Sequence, residues 1–378
     1  MFGGDQIIRL AYRRSAKWIF VVDSLPNIKR FDQVDGLRGI ACLLVIWHHV
    51  ADGFAEIAGS GWWLQKVAND YNVGLIGVLA FFAISGYVIP SSVRGARGAG
   101  VKRFLTRRFW RLYPPFWFAL VVTWMMDIPE FSTQRLAWNA TMVPSLGGVT
   151  SAAGHFWTLE VELVFYLLVA ALFVLIGKLG WRVMVSAFSV MGLWYLVWPM
   201  FPLDEHWNSI ILYLAVMFWG ACCRELIRFD FGRWVGANRA NFARAIAIGL
   251  ASGLLLIRPL KSVYIALTDG DAQLLEFGAS SSLGILLFLF WVVLTPVHSA
   301  VLARVGRWTY STYLLHAVVF YSVLRIITKW DLSFLKGWPL MVYVLVMIVL
   351  CFAVGSLAFK WIELPSDRIG KRLTGKVP

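Results

Sequence analysis

Charge is scarce in this sequence. Asp, Glu, Lys and Arg make up 15% of its 378 residues, against 59% hydrophobic and 16% aromatic, and mean hydropathy is +0.69. So little charge cannot cover a soluble domain of this size. Acid is scarcer still: 21 Asp and Glu face 35 Lys and Arg, a formal net charge of +14. Cysteine is limited to Cys42, Cys222, Cys223 and Cys351, each inside an apolar run, with no CxxC and no His/Cys cluster of zinc spacing. Buried cysteine behaves as a small hydrophobe, so neither a disulfide framework nor a structural metal is expected. GxSxG, P-loop, GxGxxG and HExxH motifs are lacking in any supporting context, so hydrolase, ATPase and dehydrogenase readings have no parts to work with. No small-residue cleavage site follows a proper apolar core near the N-terminus, so no cleavable signal peptide is expected.

Long apolar runs are what the chain has in abundance. Spans are expected near residues 37–57, 72–92, 112–128, 155–177, 181–201, 208–227, 243–260, 278–297, 309–328 and 338–360. About ten such runs predict an all-α, polytopic membrane protein. A transmembrane β-barrel would alternate apolar and polar residues instead. The seventh run is the weakest, because Arg244 and Arg258 leave a short apolar centre.

Loop charge alternates. The N-terminal segment is basic, as are the loops holding Arg94 to Arg111, Lys178 and Arg182, Arg224 to Arg239, and Arg304 and Arg307. The intervening loops are acidic or mixed, except the ninth, where Lys329 and Lys336 outweigh Asp331. The positive-inside rule then places both termini in the cytoplasm. It also accounts for the basic excess without nucleic acid. Three segments result: residues 1–34, a cytoplasmic segment in which 7–22 form either an interfacial helix or a mobile tail; residues 35–365, one membrane domain; and residues 366–378, a cytoplasmic tail.

Within this scaffold the stretch Asp35 to His49, DGLRGIACLLVIWHH, concentrates ionisable groups. A helix turns about 100° per residue, so His49 returns to within about 20° of Arg38's face, roughly 16 Å further along the axis. Cys42 and Val45 lie on the line between them, and Asp35 is placed to orient Arg38. His48 points about 100° away and is read as structural. Ionisable groups inside a hydrocarbon layer are costly and usually functional. A neutral imidazole suits proton acceptance from a hydroxyl.

Four further stretches carry polar or basic signals. In HFWTLEVELVFY, His155, Thr158 and Glu162 share a helix face while Glu160 lies opposite; Glu162 can orient an imidazole, bind a hydroxyl or lock two helices. In KRFLTRRFWRLYPPFW, Arg108 and Arg111 are helical neighbours, followed by a proline pair suited to starting the next span. The run serves topology, or grips the phosphates of a cofactor. In FFAISGYVIP, Ser85 and Gly86 permit close helix approach. In TYSTYLLH, Thr309, Thr312 and His316 share a face.

In order along the chain, these blocks resemble the integral-membrane acyltransferase family 3, which holds many bacterial glycan O-acetyltransferases. DGLRGIACLLVIWHH is similar to the family's opening motif, an arginine and a histidine separated by ten residues, which selects Arg38 and His49. FFAISGYVI resembles its second block, RRFWRLYPPFW its Arg-x-x-Arg loop, and FWTLEVELVFY its Trp-Ser-Leu-x-x-Glu block, with Thr158 in place of serine and Glu162 as the carboxylate. TYSTYLLH resembles its late Ser-x-Tyr-Leu-x-His block and WIELP its C-terminal Glu-x-Pro.

The resemblance implies an acyl group, acetyl above all, taken from cytosolic acetyl-CoA and delivered to a hydroxyl of an extracytoplasmic or lipid-linked glycan, in a bacterial inner membrane. His49, Glu162, Arg38 and Asp35 are then the catalytic candidates. His49 either takes the acyl group or deprotonates the acceptor, with Glu162 orienting or charge-compensating it. Arg108, Arg111, Arg38, Ser85 and His316 are the donor-binding candidates. Acyl-CoA, the glycan acceptor and membrane lipid are the expected partners, and no metal is needed. The alternatives are a glycan or lipid transporter without acyl transfer, and an acyltransferase for a lipid or small metabolite. Some family members carry an additional extracytoplasmic hydrolase-like domain, which this sequence is too short to hold.

Overall fold

The computed structural model describes residues 27–126, 132–201, 205–294, 297 and 299–375. The segment 7–22 and His298 lie outside the described residues. Among these there are no strands, only an isolated bridge between Ser60 and Pro339. The helices of seven or more residues are α1 (Asn27–Gly53), α2 (Trp62–Asp70), α3 (Val73–Val88), α4 (Arg97–Met125), α5 (Thr133–Ala140), α6 (Trp157–Ile176) and α7 (Trp181–Val197). They continue with α8 (Glu205–Arg228), α9 (Ala237–Asp269), α10 (Ala272–Phe288), α11 (Ala300–Gly306), α12 (Thr309–Lys329), α13 (Leu340–Ala358) and α14 (Leu364–Thr374). The protein is all-α, as its periodicity predicts.

Eight helical segments among the described residues are long and apolar enough to cross a membrane. The other two expected spans are present in altered form. The run 181–201 becomes α7, a shorter apolar helix of 17 residues. The run at 112–128 is the apolar half of α4, a continuous helix of 29 residues that begins at Arg97. Pro114 and Pro115 therefore lie inside a helix instead of starting one. Proline removes an N–H and strains the preceding turn, but neighbouring helices can satisfy freed carbonyls. The carbonyls freed here are those of Trp110 and Arg111, four residues before each proline; the Tyr310 hydroxyl donates beside them, to the Leu112 carbonyl, at 2.8 Å. The weakest expected span, by contrast, is the 33-residue α9. Its Arg258 is accommodated by donating to the Tyr195 carbonyl at 2.8 Å and lying over the Tyr195 ring.

α3 is apolar almost all round, and such a helix belongs in the interior. It packs against α1, α8 and α10. Gly86 lets it approach α8 backbone to backbone: a Cβ there would lie 1.7 Å from the Met217 carbonyl oxygen, and one at Gly220 would lie 2.2 Å from that of Ala83. Small residues at such contacts are the usual means of close packing between apolar helices.

A π-helical turn, Phe359–Glu363, joins α13 to α14 within one helical segment, Leu340–Thr374. α14 lies on the basic half of α4. The Arg107 guanidinium donates to the Thr374 hydroxyl at 2.7 Å and to the Gly375 carbonyl at 2.8 Å, and Gly370 packs directly on Trp110.

Candidate active site

Two polar clusters occupy the interior at different depths. The first surrounds a cavity of about 430 Å³, within the size range of small-molecule sites. Its walls bring together Asp35 and Arg38 of α1, Ser85 of α3, Arg108 and Arg111 of α4, and Glu162 of α6. These residues come from four separate sequence blocks, and the fold collects all of them. Asp35 orients Arg38 as expected, accepting a hydrogen bond at 2.9 Å.

Glu162 is placed otherwise than expected. Its Oε1 accepts from the Tyr166 hydroxyl at 2.5 Å and from the Ser85 hydroxyl at 3.1 Å. Together with Tyr166 it lies among the groups surrounding Arg108 and Arg111. Among the described residues Glu162 makes no hydrogen bond to His49. His155 lies in the turn that precedes α6, whereas Glu162 stands more than a turn inside that helix, so the helix face expected to join them does not reach His155.

Glu363 completes the cavity. It is buried at 3% exposure, accepts from the Ser311 hydroxyl at 2.6 Å and lines the cavity with Arg111. The π turn positions it, projecting the glutamate of WIELP inward. Tyr310, Asp367, Lys371 and Arg307 also line the cavity. Sequence reasoning treated Arg307 as a topological charge and passed over the others. Tyr166 had a signal, one turn after Glu162; Lys371 had none.

The second cluster is a line of imidazoles. His49 stacks on His316 with ring centroids 5.2 Å apart, and His316 lies 4.3 Å from His155. His316 and His155 are buried; His49 is exposed. His316 Nδ1 meets the Tyr313 carbonyl at 2.6 Å, so that nitrogen carries the proton and Nε2 presents a lone pair. The Nε2 atoms of both His155 and His316 are buried without a hydrogen-bond partner. His48 is held by the Ala68 carbonyl at 3.1 Å, in keeping with a structural role.

Neither His49 nor His316 lines the cavity, which places His316 away from its expected donor-binding position. Between the clusters stands Tyr313, one helical turn before His316. Its hydroxyl lies 2.9 Å from Thr158 Oγ1 and 3.0 Å from the His155 carbonyl, and both Tyr313 and Thr158 line the cavity. The buried Cys42 and Val45 fill the stripe between Arg38 and His49. Tyr313 and Thr158 are therefore the layer between the cavity and the buried histidines His155 and His316. Groups of three or more His, Cys, Asp or Glu able to hold a metal ion are absent among the described residues.

A helical membrane body with a cationic cavity on one side of a buried imidazole line has the parts of a membrane acyltransferase. The Acyltransferase domain family matches residues 31–359, nearly the whole chain, and the protein belongs to that family. Acyl transfer, not transport, is the activity class it brings. The chain is also similar to the acyltransferase MdmB of Streptomyces mycarofaciens, at 25% identity across 92% of this chain and 94% of that protein. No solved structure matches.

Proposed function

We propose that the protein is an O-acyltransferase of a bacterial inner membrane. It takes an acyl group, acetyl foremost, from cytosolic acetyl-CoA and delivers it to a hydroxyl of an extracytoplasmic or lipid-linked glycan. The observation that carries this reading is the pairing of an arginine-lined cavity with a histidine line one residue layer away. Arginine grips phosphate oxygens in a bidentate manner, which suits Arg38, Arg108 and Arg111 to the donor and assigns their end of the protein to the cytosol. The exposed His49, outside the donor cavity, meets the acceptor first.

The reaction then runs by general base catalysis. His49 takes the proton of the acceptor hydroxyl as its oxygen bonds to the thioester carbonyl carbon. The C–S bond breaks, and the thiolate leaves toward the arginine side, where it recovers a proton. Tyr313 and Thr158 must part for the thioester to reach the imidazoles.

Purified protein with labelled acetyl-CoA and a glycan extract tests the proposal. Label should move into the acceptor fraction, and His49→Ala should stop it while leaving the protein folded. Label that stays in CoA with every glycan, lipid and small-alcohol fraction would overturn acyl transfer from this donor. Label that moves only into lipid or a small metabolite would overturn the glycan assignment alone.

A further inference from the structure

The cavity's charges are unevenly matched. Arg38, Arg108 and Arg111, deep in the protein, already face Asp35, Glu162 and Glu363. Two other cations line the same space from its rim. Arg307, in the link between α11 and α12, is exposed and makes no ion pair among the described residues. Lys371, on α14, is exposed and paired only with Asp367 one turn earlier, at 2.5 Å. An exposed lysine–carboxylate pair within one helix is weak, so its ammonium is readily given up to a stronger anion.

The rim lysine is not on a loose tail. α14 is pinned by the two Arg107 hydrogen bonds at its C-terminal end and by the contact of Gly370 with Trp110. Arg107 is the neighbour of Arg108 on α4, so the helix that presents Lys371 is fastened to the helix that supplies the deep arginines. Residues 364–374 also lie beyond residue 359, where the family match ends.

We propose that Arg307 and Lys371 form a rim subsite for the phosphorylated, outermost end of a nucleotide-bearing acyl donor, and that α14 gives this chain its grip on that end. The proposal rests on the acyl-CoA reading above. The diphosphate sits against Arg38, Arg108 and Arg111, the thin pantetheine arm runs on inward, and the outermost phosphate remains at the mouth. There Arg307 supplies a planar fork and Lys371 a mobile point charge. Asp367 holds the ammonium in place until a phosphate replaces it.

Acetyl-pantetheine provides the control, because it carries the same thioester without the phosphorylated nucleotide. Arg307→Ala and Lys371→Ala are assayed with acetyl-CoA and with acetyl-pantetheine, and CoA binding to each is measured by calorimetry in detergent. Each substitution should raise KM and Kd for the CoA form about five- to tenfold, the size of one charge-assisted contact at an exposed site. The reaction with acetyl-pantetheine should not change. Unaltered KM and Kd for the CoA form would overturn the subsite. So would an equal loss with both donors, since that marks damage to α14 rather than loss of a phosphate contact. Weakened CoA binding by the variants of a protein that transfers no acyl group would uphold the subsite and overturn the proposed reaction. A wild-type protein that neither binds CoA nor uses it would overturn both.

Discussion

The arginine cavity and the histidine line differ in how completely their polar atoms are satisfied. In the cavity, Asp35 meets Arg38, Glu162 meets Ser85 and Tyr166, and Glu363 meets Ser311. In the histidine line, two buried ring nitrogens have no partner, and the one exposed ring contributes a stacking contact. Buried polar groups are normally hydrogen-bonded, and each exception calls for an explanation. One cluster is finished before any ligand arrives. The other is completed only during turnover. Binding is thus built into the fold, while reaction waits on the movement of one layer.

Substitutions on either side test that contrast. The largest effect is expected at His49: His49→Ala should reduce acyl transfer about 10²- to 10⁴-fold, the usual contribution of a general base, with CoA affinity held. Steady-state rates alongside direct CoA binding check this, and a parallel loss of binding would dissolve the division of labour. Next comes Arg111→Ala, which takes a cation from the cavity wall that also holds Glu363 and Glu162. Leaving the buried Glu363 carboxylate less compensated should cost about 1–3 kcal/mol, so the unfolding temperature in detergent should fall, and Glu363→Gln added to it should recover part of the loss. The corresponding change in the other cluster, His155→Leu, stays close in volume and removes an unpartnered atom. It should cost less than about 1.5 kcal/mol. A large drop in its melting temperature would erase the difference between the two regions.

A smaller effect is expected at the partition itself. Tyr313→Ala removes the ring between cavity and imidazoles, and acceptor-independent hydrolysis of acetyl-CoA should rise several-fold. An unchanged rate of thiol release would show that the layer does not hold back water. The smallest effect is expected outside the membrane, at Asp331. The Lys336 ammonium beside it holds its carboxyl below the usual carboxylate range. A depressed carboxylate stabilises the fold above its ordinary range and loses that contribution as pH falls through the folded value. For so exposed a pair the change should be barely measurable, and Asp331→Asn should melt with the wild type across acidic pH.

Much of the cavity was legible in the sequence, because its residues sit in short blocks with strong local spacing. Arg38 and Asp35, Arg108 and Arg111, and Ser85 each occupy a fixed place on a recognisable helix. What periodicity could not supply was depth and partnership. Glu162 and His155 were expected on one helix face, yet the helix begins only at Trp157 and the two side chains belong to different clusters. Glu363 finds Ser311, 52 positions earlier, in a contact that only packing creates. The proline pair misled in another way: a local rule for starting helices gave way inside a continuous helix of 29 residues.

The π turn at Phe359–Glu363 has a consequence for how this molecule can change by insertion and deletion. Such a turn holds one residue more than the α-helix it interrupts. Losing one residue there would restore ordinary winding with little rotation of the helix downstream. Losing one from the α-helix beyond it would instead rotate everything that follows by about 100°, carrying Lys371 away from the rim though no amino acid at that position had been replaced. In this segment the place of a deletion, more than its size, decides what it does.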